Sequence, residues 1–152
     1  MSLNAKYTHT NIVAQDWKRL AQFYEQLFDC VPVPPERDLS GPWLDAGTGL
    51  PDAHIRGIHL RLPGGGESGP TLEIFQYNRE EPRPATAINR PGLAHLAFAV
   101  ADVEAARQAV LDAGGTAVGD LVSLEVAGVG RVTFAYVTDP EGNIIELQRW
   151  SH

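Results

Sequence analysis

The chain has 152 residues, 43% of them hydrophobic, which suits one compact domain or two small halves sharing a core. Its formal net charge is −7 and its 12 Lys and Arg are scattered along the chain, so it lacks the clustered cations that a nucleic-acid backbone or an anionic lipid surface requires. The 15 Gly and 11 Pro are dispersed and form no low-complexity tract, which excludes a disordered chain.

In chain order, Met1 to Lys6 reads as an ordinary terminus. A strand follows in which Tyr7, His9, Asn11 and Val13 share one face. Asp16 is placed to cap a helix from about Trp17 to Phe28, whose apolar face is Trp17, Leu20, Ala21, Tyr24, Leu27 and Phe28. Cys30 is the only cysteine, so it makes no intrachain disulfide; it reads as a small apolar residue at the helix end, in keeping with a reducing compartment. The segment from Val31 to Ala53 holds Pro32, Pro34, Pro35, Pro42, Pro51 and Trp43, and reads as a long loop of the kind that forms a lid or wall. Strands from Ile55 to Leu62 and from Thr71 to Tyr77 flank the connection Pro63 to Pro70. Its three consecutive glycines make a flexible hairpin rather than a phosphate cradle, because no helix follows the strand. His59 and Arg61 share one face of the first of these strands and are candidates for contact with an anionic group.

Residues 81–91, rich in proline, read as a linker. Beyond it the pattern starts again. His95 lies seven residues before Asp102, as His9 lies seven before Asp16, and each Asp opens a helical segment. The second helix is expected from about Val103 to Ala113, ended by Gly114-Gly115. Strands follow at Leu121 to Val126, Arg131 to Val137 and Asn143 to Trp150, the last after the turn Asp139-Pro140-Glu141-Gly142. Each half thus reads as strand, helix, then further strands. The fold class expected is α+β: a single domain over residues 1–152 made of two pseudo-symmetric βαβββ modules, about 5–80 and 92–150, that form a curved, cleft-like sheet. No basic-plus-apolar leader opens the chain and no apolar run reaches membrane-spanning length, so a soluble cytoplasmic protein is expected.

Each half carries one His in its first strand and one Glu in its last. Glu73 and Glu146 sit in otherwise apolar strands, Leu-Glu-Ile-Phe and Ile-Ile-Glu-Leu, where a carboxylate is costly unless paired or bound. Pseudo-symmetry is expected to bring His9, Glu73, His95 and Glu146 to a common axis. Two imidazoles and two carboxylates suit Ni, Co, Zn or Mn, with Fe ranked behind them, and suit Ca poorly. The alternative is a binding cup whose polar groups pair with each other.

The segments His9-Thr-Asn-Ile-Val-Ala-Gln-Asp16 with Phe23-Tyr24, Thr71-Leu-Glu-Ile-Phe75, Gly92-Leu-Ala-His-Leu-Ala-Phe98 and Asp139-Pro-Glu-Gly-Asn-Ile-Ile-Glu-Leu147 resemble the vicinal-oxygen-chelate superfamily. Glyoxalase I, methylmalonyl-CoA epimerase, extradiol dioxygenases, and fosfomycin- and bleomycin-resistance proteins belong to it. The resemblance implies paired βαβββ modules around a metal cleft, with His9, Glu73, His95 and Glu146 on ligand positions, one divalent ion per site, and a homodimer. Its glyoxalase I branch carries an Arg where this chain has Val13. The function expected is proton transfer next to a carbonyl through a metal-bound enediolate, a lyase or isomerase reaction, with Glu146 or Glu73 as the base. Asn11, His59, Phe75, Tyr77 and Gln148 are expected to contact a small-molecule substrate. An iron-dependent extradiol-type dioxygenase and a metal-free, drug-resistance-like binding protein remain the other readings.

Overall fold

The computed structural model describes all 152 residues, and the chain divides into two compact units, Met1–Pro82 and Arg83–His152. In the first, β1 (His9–Val13) leads into α1 (Trp17–Phe28), followed by β2 (Val31–Ser40), α2 (Pro42–Thr48), β3 (His54–Arg61) and β4 (Thr71–Tyr77). The Asp16 carboxylate accepts the Arg19 backbone N–H at 3.1 Å, satisfying one of the free donors of the first turn of α1. The helix stops at Asp29, which takes a left-handed backbone with φ of 53°.

The strand order is β1-β4-β3-β2, with β1 parallel to β4 and the other pairs antiparallel. Alternation along the strands sorts the sheet into two faces. Ile58, Leu60, Leu72 and Ile74 are buried on the face that α1 covers with Leu20, Ala21, Tyr24 and Phe28. Full burial of side chains such as Leu60, Leu72 and Ile74 contributes about 1.5–3 kcal/mol each, which makes this face the fixed reference for everything on the other. The opposite face carries His9, Asn11, His59, Glu73 and Phe75. Gly57, paired with Phe75, has no room for a side chain: a Cβ there would sit 2.0 Å from the Ile74 carbonyl oxygen and 2.7 Å from the Phe75 ring.

The segment from Val31 to Ala53, expected as a loop, is instead ordered into β2 and α2. Its prolines are compatible with a strand because β2 is an edge, bonded only to β3. Pro34 and Pro35 fall where the pairing register breaks between Val33 and Arg37, so their missing N–H groups cost no ladder bond. Pro42 opens α2 at the position where proline is tolerated. Leu44 of α2 packs with Ala53 and Ile55, and Phe75 and Tyr77 close over them. The Asp45 carboxylate accepts the backbone N–H groups of Asp52 (3.0 Å) and Ala53 (2.9 Å) and ties the end of the segment back to the helix.

The second unit repeats the plan: β5 (His95–Ala99), α3 (Val103–Asp112), β6 (Thr116–Ala117), β7 (Val122–Val126), β8 (Gly130–Thr138) and β9 (Ile144–Ser151). Strand β5 is parallel to β9, β9 is antiparallel to β8, and β8 also pairs with β6 and β7. Asp102 caps α3 by accepting from the Ala105 N–H at 3.0 Å. Helix α3 covers β8 and β9, where Ala135, Val137, Ile145 and Leu147 are fully buried. The short strand β6 has no counterpart in the sequence reading. No helix is long and apolar enough to cross a membrane.

Candidate functional site

Strand β4 lies between β1 and β3, so Glu73 has a direct neighbour on each side: Asn11 on β1 and His59 on β3. Both reach its carboxylate. Asn11 Nδ2 donates to Oε1 at 2.8 Å, and His59 Nε2 lies 2.6 Å from Oε2. His9, one diagonal step away, brings Nε2 to 3.7 Å from Oε1. Glu73 is nearly buried, and these donors replace the water it lacks.

The His59 ring is itself held. Its Nδ1 lies 3.2 Å from the Thr71 hydroxyl, and its ring meets the rings of His9 and Phe75 edge-on at 5.7 Å and 6.0 Å. Burial pushes its pKa below the usual imidazole value; Glu73 opposes the shift, and Arg37 and His9 add to it. A neutral ring with its proton on Nε2 satisfies both contacts: it donates to Glu73 and accepts from Thr71.

The second unit builds a parallel row with different residues. Glu146 on β9 has Ala97 of β5 on one side and Tyr136 of β8 on the other. His95 takes the diagonal position, with Nε2 at 3.0 Å from Glu146 Oε2. The His95 and Tyr136 rings meet at 5.2 Å. Burial first, and the Glu146 charge second, raise the Tyr136 hydroxyl pKa.

The turn before β9 explains how Glu146 is positioned. Asp139 is buried, and its carboxylate accepts the Glu141 N–H (2.9 Å), the Asn143 N–H (3.0 Å) and the Asn143 side-chain amide (2.7 Å). Those bonds fix the Asp-Pro-x-Gly turn, and the turn fixes the register that sets Glu146 opposite Tyr136. Thr86 donates to the Gly142 carbonyl at 2.9 Å and Arg83 to Asn143 Oδ1 at 3.0 Å, which fastens the start of this unit to the same turn.

The remaining sequence-selected residues are dispersed within their own units. Phe75 and Tyr77 pack against the Leu44, Ala53 and Ile55 cluster. Gln148 accepts the Trp150 indole N–H at 2.7 Å and lies opposite Phe134. Within each unit, no three His, Cys, Asp or Glu side chains are gathered into a group able to hold a metal ion. A cavity of about 470 Å³ in the second unit, lined by Thr116, Thr138, Asp139 and their neighbours, contains none of the selected residues. Sequence reasoning missed Tyr136 and the contact of His59 with Glu73; the signal for both was hairpin symmetry.

Two repeated mixed sheets, each with an imidazole beside a carboxylate on the face turned away from its helix, define a glyoxalase-type fold. The glyoxalase-like domain family matches residues 9–148, and the chain belongs to that family, within the vicinal-oxygen-chelate superfamily. The glyoxalase family protein of Bacillus cereus is similar over 100% of this chain and 97% of its own, with a TM-score of 0.75 at 16% identity. A glyoxylase/bleomycin resistance protein/dioxygenase domain of Frankia sp. EAN1pec is similar over 97% of this chain and 98% of its own, with a TM-score of 0.60 at 16% identity. The glyoxalase family protein of Enterococcus faecalis is similar over 97% of this chain and 100% of its own, with a TM-score of 0.59 at 22% identity. At these identities the likeness is one of fold. No curated protein matches the chain in sequence.

Proposed function

We propose that the protein is a divalent-metal-dependent, glyoxalase-like enzyme that moves a proton on the carbon next to a carbonyl of a small-molecule substrate, in a lyase or isomerase reaction. One observation carries this reading. At matching places in the two repeated sheets an imidazole Nε2 lies beside a carboxylate oxygen: His9 with Glu73 at 3.7 Å and His95 with Glu146 at 3.0 Å. Imidazole and carboxylate donors together fit Ni, Co, Zn or Mn, and Fe behind them. The reading takes His9, Glu73, His95 and Glu146 as the ligands, and a homodimer as the working form. When bound, such an ion supplies Lewis acidity to a carbonyl oxygen and so acidifies the adjacent C–H.

The two carboxylates are assigned different tasks. Both oxygens of Glu73 are engaged, by Asn11 and His59, and an oxygen that already accepts from a protein donor is less free to reach a substrate proton. Glu73 is therefore given the holding role and Glu146 the role of base. Phe75 and Tyr77 supply an apolar wall, and the amides of Asn11 and Gln148 are the groups offered to a substrate oxygen.

The test is elemental analysis of protein purified without chelator, with His9→Ala and Glu146→Ala beside the wild type. About one Ni, Co, Zn or Mn per site, lost in both variants, supports the reading. Iron directs it to ring-cleaving dioxygenation. No ion, even after divalent metals are added back, leaves a metal-free small-molecule binding protein; that second reading is favoured by Glu73, whose carboxylate already has two protein donors.

A further inference from the structure

Glu73 is flanked by a residue that the reading above does not use as a ligand. His59 is its direct neighbour across the β3–β4 ladder and meets Oε2 at 2.6 Å, while Asn11 meets Oε1 at 2.8 Å. A glutamate carboxylate turns about a broad, shallow torsion, so without partners it exchanges its two oxygens freely. Here each oxygen has its own donor. Oε1 is the oxygen nearer His9, and Oε2 is kept by the His59 ring. That ring is in turn fixed through Nδ1 by Thr71 and at its edges by His9 and Phe75.

We propose that His59 is a positioning residue: by holding Glu73 Oε2 it presents Oε1 beside His9, and so sets how tightly this imidazole–carboxylate pair takes a divalent ion. The inference rests on the metal reading above. It also makes the two pairs of the repeat unequal, because Tyr136, a phenol, stands in the second unit where His59 stands in the first. Partners that orient a ligating carboxylate typically change metal affinity about 10–100-fold when removed.

The experiment compares the full chain with His59→Phe, His59→Gln and Thr71→Val. Co(II) affinity is measured by competition with a chromophoric chelator, together with the Co(II) visible spectrum and the melting temperature. His59→Phe is expected to weaken Co(II) binding about 10–100-fold at unchanged stoichiometry. His59→Gln, which restores an N–H donor of similar reach, is expected to recover most of that loss, and Thr71→Val to show a smaller one. Should His59→Phe not fold, the Gln and Val variants still order the affinities. Equal affinity in all variants overturns the proposal, as does an equal loss in Phe and Gln that follows the melting temperature. A loss of bound Co(II) as complete as in His9→Ala, with a changed ligand-field spectrum, overturns it by making His59 a ligand. Wild type that takes up no ion removes the metal reading itself, whereas wild type that binds while His59→Phe binds equally well removes only this inference.

Discussion

Glu73 and His59 face each other across β4 and β3 with a carboxylate oxygen 2.6 Å from an imidazole nitrogen, on the sheet face turned away from α1. In the second unit Glu146 and Tyr136 occupy the same relation across β9 and β8. The repeat has therefore kept the carboxylate and its diagonal imidazole while changing the direct neighbour. That difference gives the two carboxylates different direct neighbours within one architecture.

Glu73 stabilises the first unit through the donors it satisfies. Glu73→Leu takes the acceptor from Asn11, which is exposed and can turn to water, and from the half-buried His59 N–H, at a cost of about 1 kcal/mol or more. Glu73→Gln keeps one acceptor oxygen and is expected to lose less. Chemical denaturation of the two variants, free of metal, measures the difference; equal stability in Leu and wild type would show that these bonds contribute nothing net.

Cys30 behaves as an apolar residue. It is 3% exposed just beyond α1, and burial, reinforced by Asp29 and Glu25, pushes its thiol pKa from 9.0 up to about 12. The raised folded-state value means that this contribution to stability is fully present below pH 9 and is lost as pH rises towards 12. A disulfide exchange reagent at pH 8 is expected to react with Cys30 only at the rate of unfolding, because the thiolate is the nucleophile. Cys30→Ala should flatten the fall in stability above pH 9; fast labelling of the native protein would contradict this placement.

Asp139 is the anchor of the β8–β9 turn. Asp139→Ala removes the acceptor of three bonds, two from backbone N–H groups, each contributing about 1 kcal/mol net and more where a buried donor is left unpaired. A loss of about 3 kcal/mol or more is expected in urea unfolding. Asp139→Asn keeps one acceptor oxygen and should fall between. If Asp139→Ala unfolds like the wild type, the turn is fixed by Gly142 and Pro140 alone.

Helices α1 and α3 were legible because two signals coincide there: a capping Asp and an apolar stripe at helical spacing, before both Trp17 and Val103. The segment from Val31 to Ala53 was not, because proline density outweighs strand propensity in a local reading, and only the edge position of β2 reconciles the two. The repeat of His and Glu located the four selected residues. Their neighbours were legible in principle: a hairpin centred on Gly66 sets 59 against 73, and the turn at Asp139–Gly142 sets 136 against 146. What pattern could not give is which donor each carboxylate meets, since that depends on side-chain reach across the ladder.

The division of labour between the carboxylates is tested by amide replacement. Glu146→Gln removes the proposed base while keeping the length of the side chain and one oxygen. Loss of a positioned general base typically costs about 10²–10⁴-fold in rate. Turnover on 2-oxoaldehyde adducts or epimerisable thioesters should therefore fall far more than metal content. Glu73→Gln should do the reverse: metal retention drops first, because the oxygens held by Asn11 and His59 are assigned to binding and not to moving the proton. Parallel measurement of metal content and single-turnover rate in both variants separates the roles. If the two replacements lower rate and metal together and equally, neither carboxylate is a base of its own, and the proton must be moved by another group; Tyr136, beside Glu146, is then the residue to replace next.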